Sequence, residues 1–74
     1  MPIKIHGIYK HFKGESIEVL MLAKHSETLE EMVVYKHLGD DEIWVRPASM
    51  FIAKVDKEKY PDITQEYRFQ LESA

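Results

Sequence analysis

The chain contains no cysteine, which excludes disulfide staples and thiolate-zinc centres together. Glycine and proline number three each, and no glycine-rich phosphate loop appears. Long apolar runs are missing too. The longest, Val19 to Ala23, falls far short of the ~20 residues that span a bilayer, and the opening Met1-Pro2-Ile3-Lys4 lacks the apolar stretch of a secretory signal. The expectation is a cytoplasmic chain with no membrane partner. No repeat, low-complexity tract or linker divides the sequence, so residues 1–74 are read as one domain. A chain this short hides only about 60% of its unfolded surface on folding. Without disulfides, packing or self-association must stabilise it.

Charge of one sign is not abundant either. The net charge of −3 argues against wholesale phosphate neutralisation, but the charge is unevenly spread. Residues 1–26 carry four Lys against two Glu, whereas residues 27–46 carry Glu27, Glu30, Glu31, Asp40, Asp41 and Glu42 against Lys36 and Arg46. Those acids fall in two short clusters that read as turns.

What the sequence does have is hydrophobic bursts about every ten residues, divided by polar punctuation. They run from Gly7 to Phe12, Ile17 to His25, Met32 to Leu38, Ile43 to Arg46, Met50 to Val55 and, more weakly, Tyr67 to Leu71. A helix competes in the middle: Thr28 and Glu31 have capping-box spacing, and Ile17, Leu20, Met21 and Lys24 would share a helical face. The β-branched and aromatic runs Val33-Val34-Tyr35 and Ile43-Trp44-Val45 decide for strands, because such side chains lose χ1 freedom in a helix.

A hairpin loop at residues 39–42 pairs Leu38 with Ile43, His37 with Trp44, Lys36 with Val45 and Tyr35 with Arg46. That register sorts the faces by chemistry. Val34, Leu38, Ile43 and Val45 make the expected core face, with the Lys36 ammonium bending to water, and Tyr35, His37, Trp44 and Arg46 share the opposite one. Pro47 ends the fourth strand because it cannot donate to a ladder. A short 3-10 turn at Ala48-Ser49 then returns the chain to the core at Met50-Phe51. The expected fold is all-β: a small SH3-like barrel of five or six short antiparallel strands, with Tyr67 to Leu71 as a sixth strand or an edge cover.

Tyr9-Lys10-His11-Phe12-Lys13-Gly14, His25-Ser26-Glu27-Thr28, Val33-Val34-Tyr35 and Trp44-Val45-Arg46-Pro47 with Met50-Phe51 follow one another in order. Together they resemble a family of short bacterial domains of unknown function. The resemblance implies a family-like core over about residues 7–55 with a C-terminal extension at 56–74, and implies no reaction or ligand. The family commonly has Gly after its His-Ser-Glu-Thr stretch; here Leu29 stands there, a residue that disfavours φ > 0.

The Tyr35, His37, Trp44 and Arg46 face is the candidate binding site, since flat aromatics beside a guanidinium can stack a base, a peptide aromatic or a methylated cation. Tyr9 and His11, two apart on the first strand, extend it. The competing reading is a cross-strand stack that holds the sheet together, with Trp44 partly covered by the C-terminal segment. His25-Ser26-Glu27 has the residue types of a hydrolytic triad, yet consecutive strand residues point to opposite faces, so a backbone-bonded turn is the better reading. His6, His11, His25 and His37 show no metal-ligating spacing. No catalytic residue, metal or cofactor is expected.

Lys10, Lys13, Lys24, Lys36 and Arg46 make a basic stripe if the first three strands lie side by side. The long stretch from Asp56 to Glu66 reads as a solvated excursion or, in the sharper version, a lid over the aromatic face. The leading functional expectation is a non-enzymatic module binding single-stranded nucleic acid or a peptide of a protein partner. The alternative is a structural or assembly role through homo-oligomer formation at a strand edge or barrel face.

Overall fold

Val33-Val34-Tyr35 and Ile43-Trp44-Val45 lie in adjacent strands of the computed structural model, which describes residues 3 to 73. Five antiparallel strands, β1 (Ile8–His11), β2 (Ser16–Lys24), β3 (Glu31–His37), β4 (Ile43–Pro47) and β5 (Phe69–Ser73), form one sheet in the order β4-β3-β2-β1-β5. The domain is therefore mainly β, and each of the first four strands matches one of the hydrophobic bursts to within a residue at each end. Among the described residues no helix is long and apolar enough to cross a membrane.

The turns follow from local chemistry. Between β1 and β2, Gly14 takes φ 106 and its N–H donates to the His11 carbonyl at 2.8 Å. Between β2 and β3, the His25 Nδ1 accepts from the Glu27 and Thr28 backbone N–H groups at 3.1 and 3.3 Å, and the Glu30 N–H donates to Thr28 Oγ1 at 3.2 Å. His25, Ser26, Glu27 and Thr28 thus shape a turn. Leu29 closes it at φ 63, a left-handed conformation that costs a non-glycine residue about 1–2 kcal/mol.

Several expectations are corrected. Tyr35 pairs with Trp44, Lys36 with Ile43 and Val33 with Arg46, two residues away from the expected register. The longer loop makes room for Gly39 at φ 83 and for an Asx turn in which the Glu42 N–H donates to Asp40 Oδ1 at 3.0 Å. A slip of two preserves the faces, because side chains alternate with period 2. The direction of the core is reversed, however. Tyr9, Ile17, Val19, Val33, Tyr35, Phe51 and Phe69 form the buried cluster, while Leu38, Ile43 and Val45 are exposed, Val45 by 58%.

The expected strand from Met50 to Val55 is absent. Instead Ala48–Phe51 is a single α-helical turn, α1. The Ile52 N–H reaches the Ala48 carbonyl four residues back at 3.0 Å, an α rather than 3-10 closure. Only Lys54 keeps a strand-like bridge, to Tyr67. The turn drops Phe51 onto the sheet, where it stacks on Phe69 at 4.4 Å between ring centroids and meets Tyr9 edge-on at 5.1 Å.

The sheet stays open rather than closing into the expected barrel, since β4 and β5 are its two edges. Its concave face nonetheless brings side chains of the two edges together, the Arg46 guanidinium of β4 lying 5.1 Å from the Phe69 ring centre of β5. The buried cluster and the candidate site therefore share one concave face.

A cationic aromatic cleft at the open end of the sheet

The concave face is sealed by Phe51 at one end and open at the other. At the open end lies a cleft of about 460 Å3, within the usual range of about 300–1,000 Å3 for ligand sites. Strand alternation aims His11 of β1, His37 of β3, and Trp44 and Arg46 of β4 into it. Tyr35 is 6% exposed and forms part of the floor, whereas Trp44 at 46% is the free aromatic surface at the rim. The His37 ring stands edge-on to Trp44, 6.3 Å away between centroids.

Of the expected site residues, the structure brings Tyr35, His37, Trp44, Arg46 and His11 together around the cleft. Tyr9 goes elsewhere. It is buried under Phe51, and its hydroxyl accepts from the Lys4 N–H at 2.9 Å. The basic stripe divides: Lys13 and Arg46 reach the cleft, while Lys10 and Lys36, out of phase with Tyr9 and Tyr35, belong to the opposite face.

Phe12, Glu15, Tyr60 and Arg68 also line the cleft, over a floor that includes Ile17 and Phe69, and spacing alone did not reveal the four. Phe12 and Lys13 turn in at the end of β1, where the Phe12 N–H donates to the Arg68 carbonyl at 2.9 Å. Tyr60 comes from the Asp56 to Glu66 stretch, which is largely exposed to solvent, as expected, and is also held by hydrogen bonds. The Glu58 N–H bonds Asp56 Oδ1 at 3.0 Å, and the Gln65 side-chain amide donates to the Lys10 and Tyr67 carbonyls at 3.0 and 2.7 Å. Tyr60 meets Phe12 edge-on at 5.0 Å, and the Lys13 ammonium sits within 6 Å of both rings, at 5.9 and 5.7 Å. A single turn residue could not have announced this wall, because its neighbours come from the far end of the chain.

The electrostatics of the cleft run opposite to those of the whole chain. Lys13, Arg46 and Arg68 line it, with Glu15 the one carboxylate among the described residues. Glu15 Oε2 lies 3.1 Å from His37 Nδ1. Burial holds the His11 imidazole below its ordinary value of 6.5; Arg46 lowers it further, Glu15 opposes this, and Lys13 and Arg68 add to the depression. The His11 Nδ1 accepts from the Lys13 N–H at 3.2 Å. Chemically, such a cleft can hold an anion against three permanent cations and stack a planar group on Trp44.

Fold and cleft define a small open-sheet β domain with a cationic, aromatic-walled recess. The chain belongs to the family described as protein of unknown function (DUF1653), which matches residues 7–71. The matched span includes the 52–68 segment and enters β5. No curated protein and no solved structure gives a match.

Proposed function

We propose that the domain is a non-enzymatic binding module whose cleft takes single-stranded nucleic acid, one base stacking on Trp44 and a phosphate lying against Lys13, Arg46 and Arg68. The observation that carries this reading is a half-exposed Trp44 ring beside a cluster of permanent cations in a chain of net charge −3. Local positive potential in a negative protein focuses an anion on one place rather than over the whole surface. Base stacking on an aromatic contributes about 1–3 kcal/mol per base and tolerates any sequence.

The test is the fluorescence of Trp44, the one tryptophan, titrated with mixed short single-stranded DNA and RNA at low and moderate salt. Saturable quenching that salt relieves is the expected result. Emission unmoved by any oligonucleotide, but quenched by acidic or aromatic peptides, would transfer the cleft to a protein partner instead.

The outer face of the sheet supports a second reading, self-association. Met21, Ile43 and Val45 are each more than half exposed there, and β4 is an unpaired edge. Light scattering over a concentration series measures it directly. A mass that stays monomeric throughout excludes it.

A further inference from the structure

Resting on the nucleic-acid reading of the cleft, we propose that Glu15 makes the site selective for guanine, so that its preferred occupant is a guanine nucleotide, free or unpaired in a strand.

Arg46 lies over Phe69 at 5.1 Å, and His11 meets the same ring edge-on at 4.8 Å. The Trp44 ring meets the His37 ring at 6.3 Å between centroids, and the Glu15 carboxylate lies 3.1 Å from His37 Nδ1. A phosphate is drawn to Lys13, Arg46 and Arg68 and repelled by Glu15. A base stacked on Trp44, with its phosphate so placed, turns its free edge towards the carboxylate.

What a carboxylate accepts there is decided by hydrogen-bond inventory. Each carboxylate oxygen has two acceptor sites, so Oε2 keeps capacity after meeting His37 and Oε1 is open. The Watson–Crick edge of guanine offers two adjacent donors, N1–H and the N2 amino group, matching two carboxylate oxygens. Adenine and cytosine each offer one donor beside an acceptor nitrogen, and uracil offers one N–H between two carbonyls. In those three a lone pair faces the carboxylate, and that repulsion is itself a source of specificity. The Glu15 carboxylate lies beside His37, with Oε2 3.1 Å from Nδ1, at the exposed rim of the cleft.

The experiment is calorimetric titration of the full chain with the four 5′-mononucleotides at low salt, beside the single-stranded oligonucleotides above. The guanine nucleotide is expected to bind about tenfold or more tightly than the other three. In Glu15→Gln the guanine preference is expected to collapse, because a carboxamide presents one acceptor and one donor and pairs with adenine, cytosine or the O6/N1–H edge of guanine alike. Loss of a structural contact alone would weaken all four nucleotides without changing their ratio. Glu15 is exposed, so the substitution leaves the buried cluster intact; a matched thermal unfolding curve checks this.

Four affinities within about threefold of one another, or a Glu15→Gln variant with an unchanged guanine-to-adenine ratio, overturns the selectivity while leaving the binding module standing if oligonucleotides bind. Absence of binding by every nucleotide and oligonucleotide overturns both.

Discussion

At one end of the concave face Phe51, Phe69 and Tyr9 pack ring on ring over Val19 and Val33, whereas at the other the same sheet carries His11, His37 and Arg46 and leaves Trp44 half exposed. The contrast is one of cover. Above the first end α1 lowers a phenyl ring onto the sheet; above the second, Phe12, Lys13 and Tyr60 stand as a wall with a gap beneath. Phe69 belongs to both ends, stacked on Phe51 and approached by the Arg46 guanidinium. A single concave strand surface thus becomes core or cleft according to what the rest of the chain lays over it.

Breaking the sealed end has the largest expected effect. Phe51→Ala removes a fully buried ring from the aromatic stack, for an expected loss of about 3–5 kcal/mol. The whole stability expected of 74 residues is roughly 4–11 kcal/mol, so urea unfolding should show a variant near the edge of folding. A loss below about 1 kcal/mol would mean that α1 seals nothing.

Arg46→Ala separates the two ends more finely. Oligonucleotide affinity should fall about tenfold through the lost charge-assisted contact, while stability falls by no more than about 1 kcal/mol, the worth of a partly exposed cation–π contact. Unchanged affinity with a severe stability loss would reassign Arg46 to the sealed end.

Remote from both ends, Leu29→Gly removes the left-handed strain of the β2–β3 turn without losing packing, since Leu29 is exposed. A gain of up to about 1 kcal/mol is expected in thermal unfolding, less than the full strain because glycine also frees the unfolded chain. A loss would show that the Leu29 side chain holds the turn through contacts of its own.

The smallest effect concerns pH. His11 in the folded protein titrates below its ordinary 6.5, so the folded state binds fewer protons than the unfolded chain in that interval. Its contribution to stability is fully present above 6.5 and is lost as pH falls through the folded-state value. The difference between wild type and His11→Asn in urea midpoints across that range should show this slope. A bound phosphate offsets Arg46 and Lys13 and should shrink it. Parallel curves for the two proteins would place His11 in ordinary solvent.

Much of this was legible from residue order. The turn at Gly14, the turn at His25 to Thr28 and the first four strands all follow from local signals: residues that favour φ > 0, side chains that bond nearby backbone, and β-branched runs. The grouping of Tyr35, His37, Trp44 and Arg46 survived a register slip of two because alternation is insensitive to it. Arg68 and Tyr60 were not legible as site residues, since they meet Phe12 and Lys13 only after the chain has returned across the sheet.

The sequence by itself determined the first four strands, the turns between them to within a register slip of two, and which side chains would share a face, because these depend on neighbours a few residues apart. Which of the two faces would be buried was left to tertiary structure. Alternation makes Val34, Ile43 and Val45 as good a core as Val33 and Tyr35, and the tie is broken only where α1 and β5 deliver Phe51 and Phe69. The same long-range step placed Lys13, Glu15 and Arg68 around one recess, because apolar area is hidden, and charges are gathered, by segments far apart in the chain.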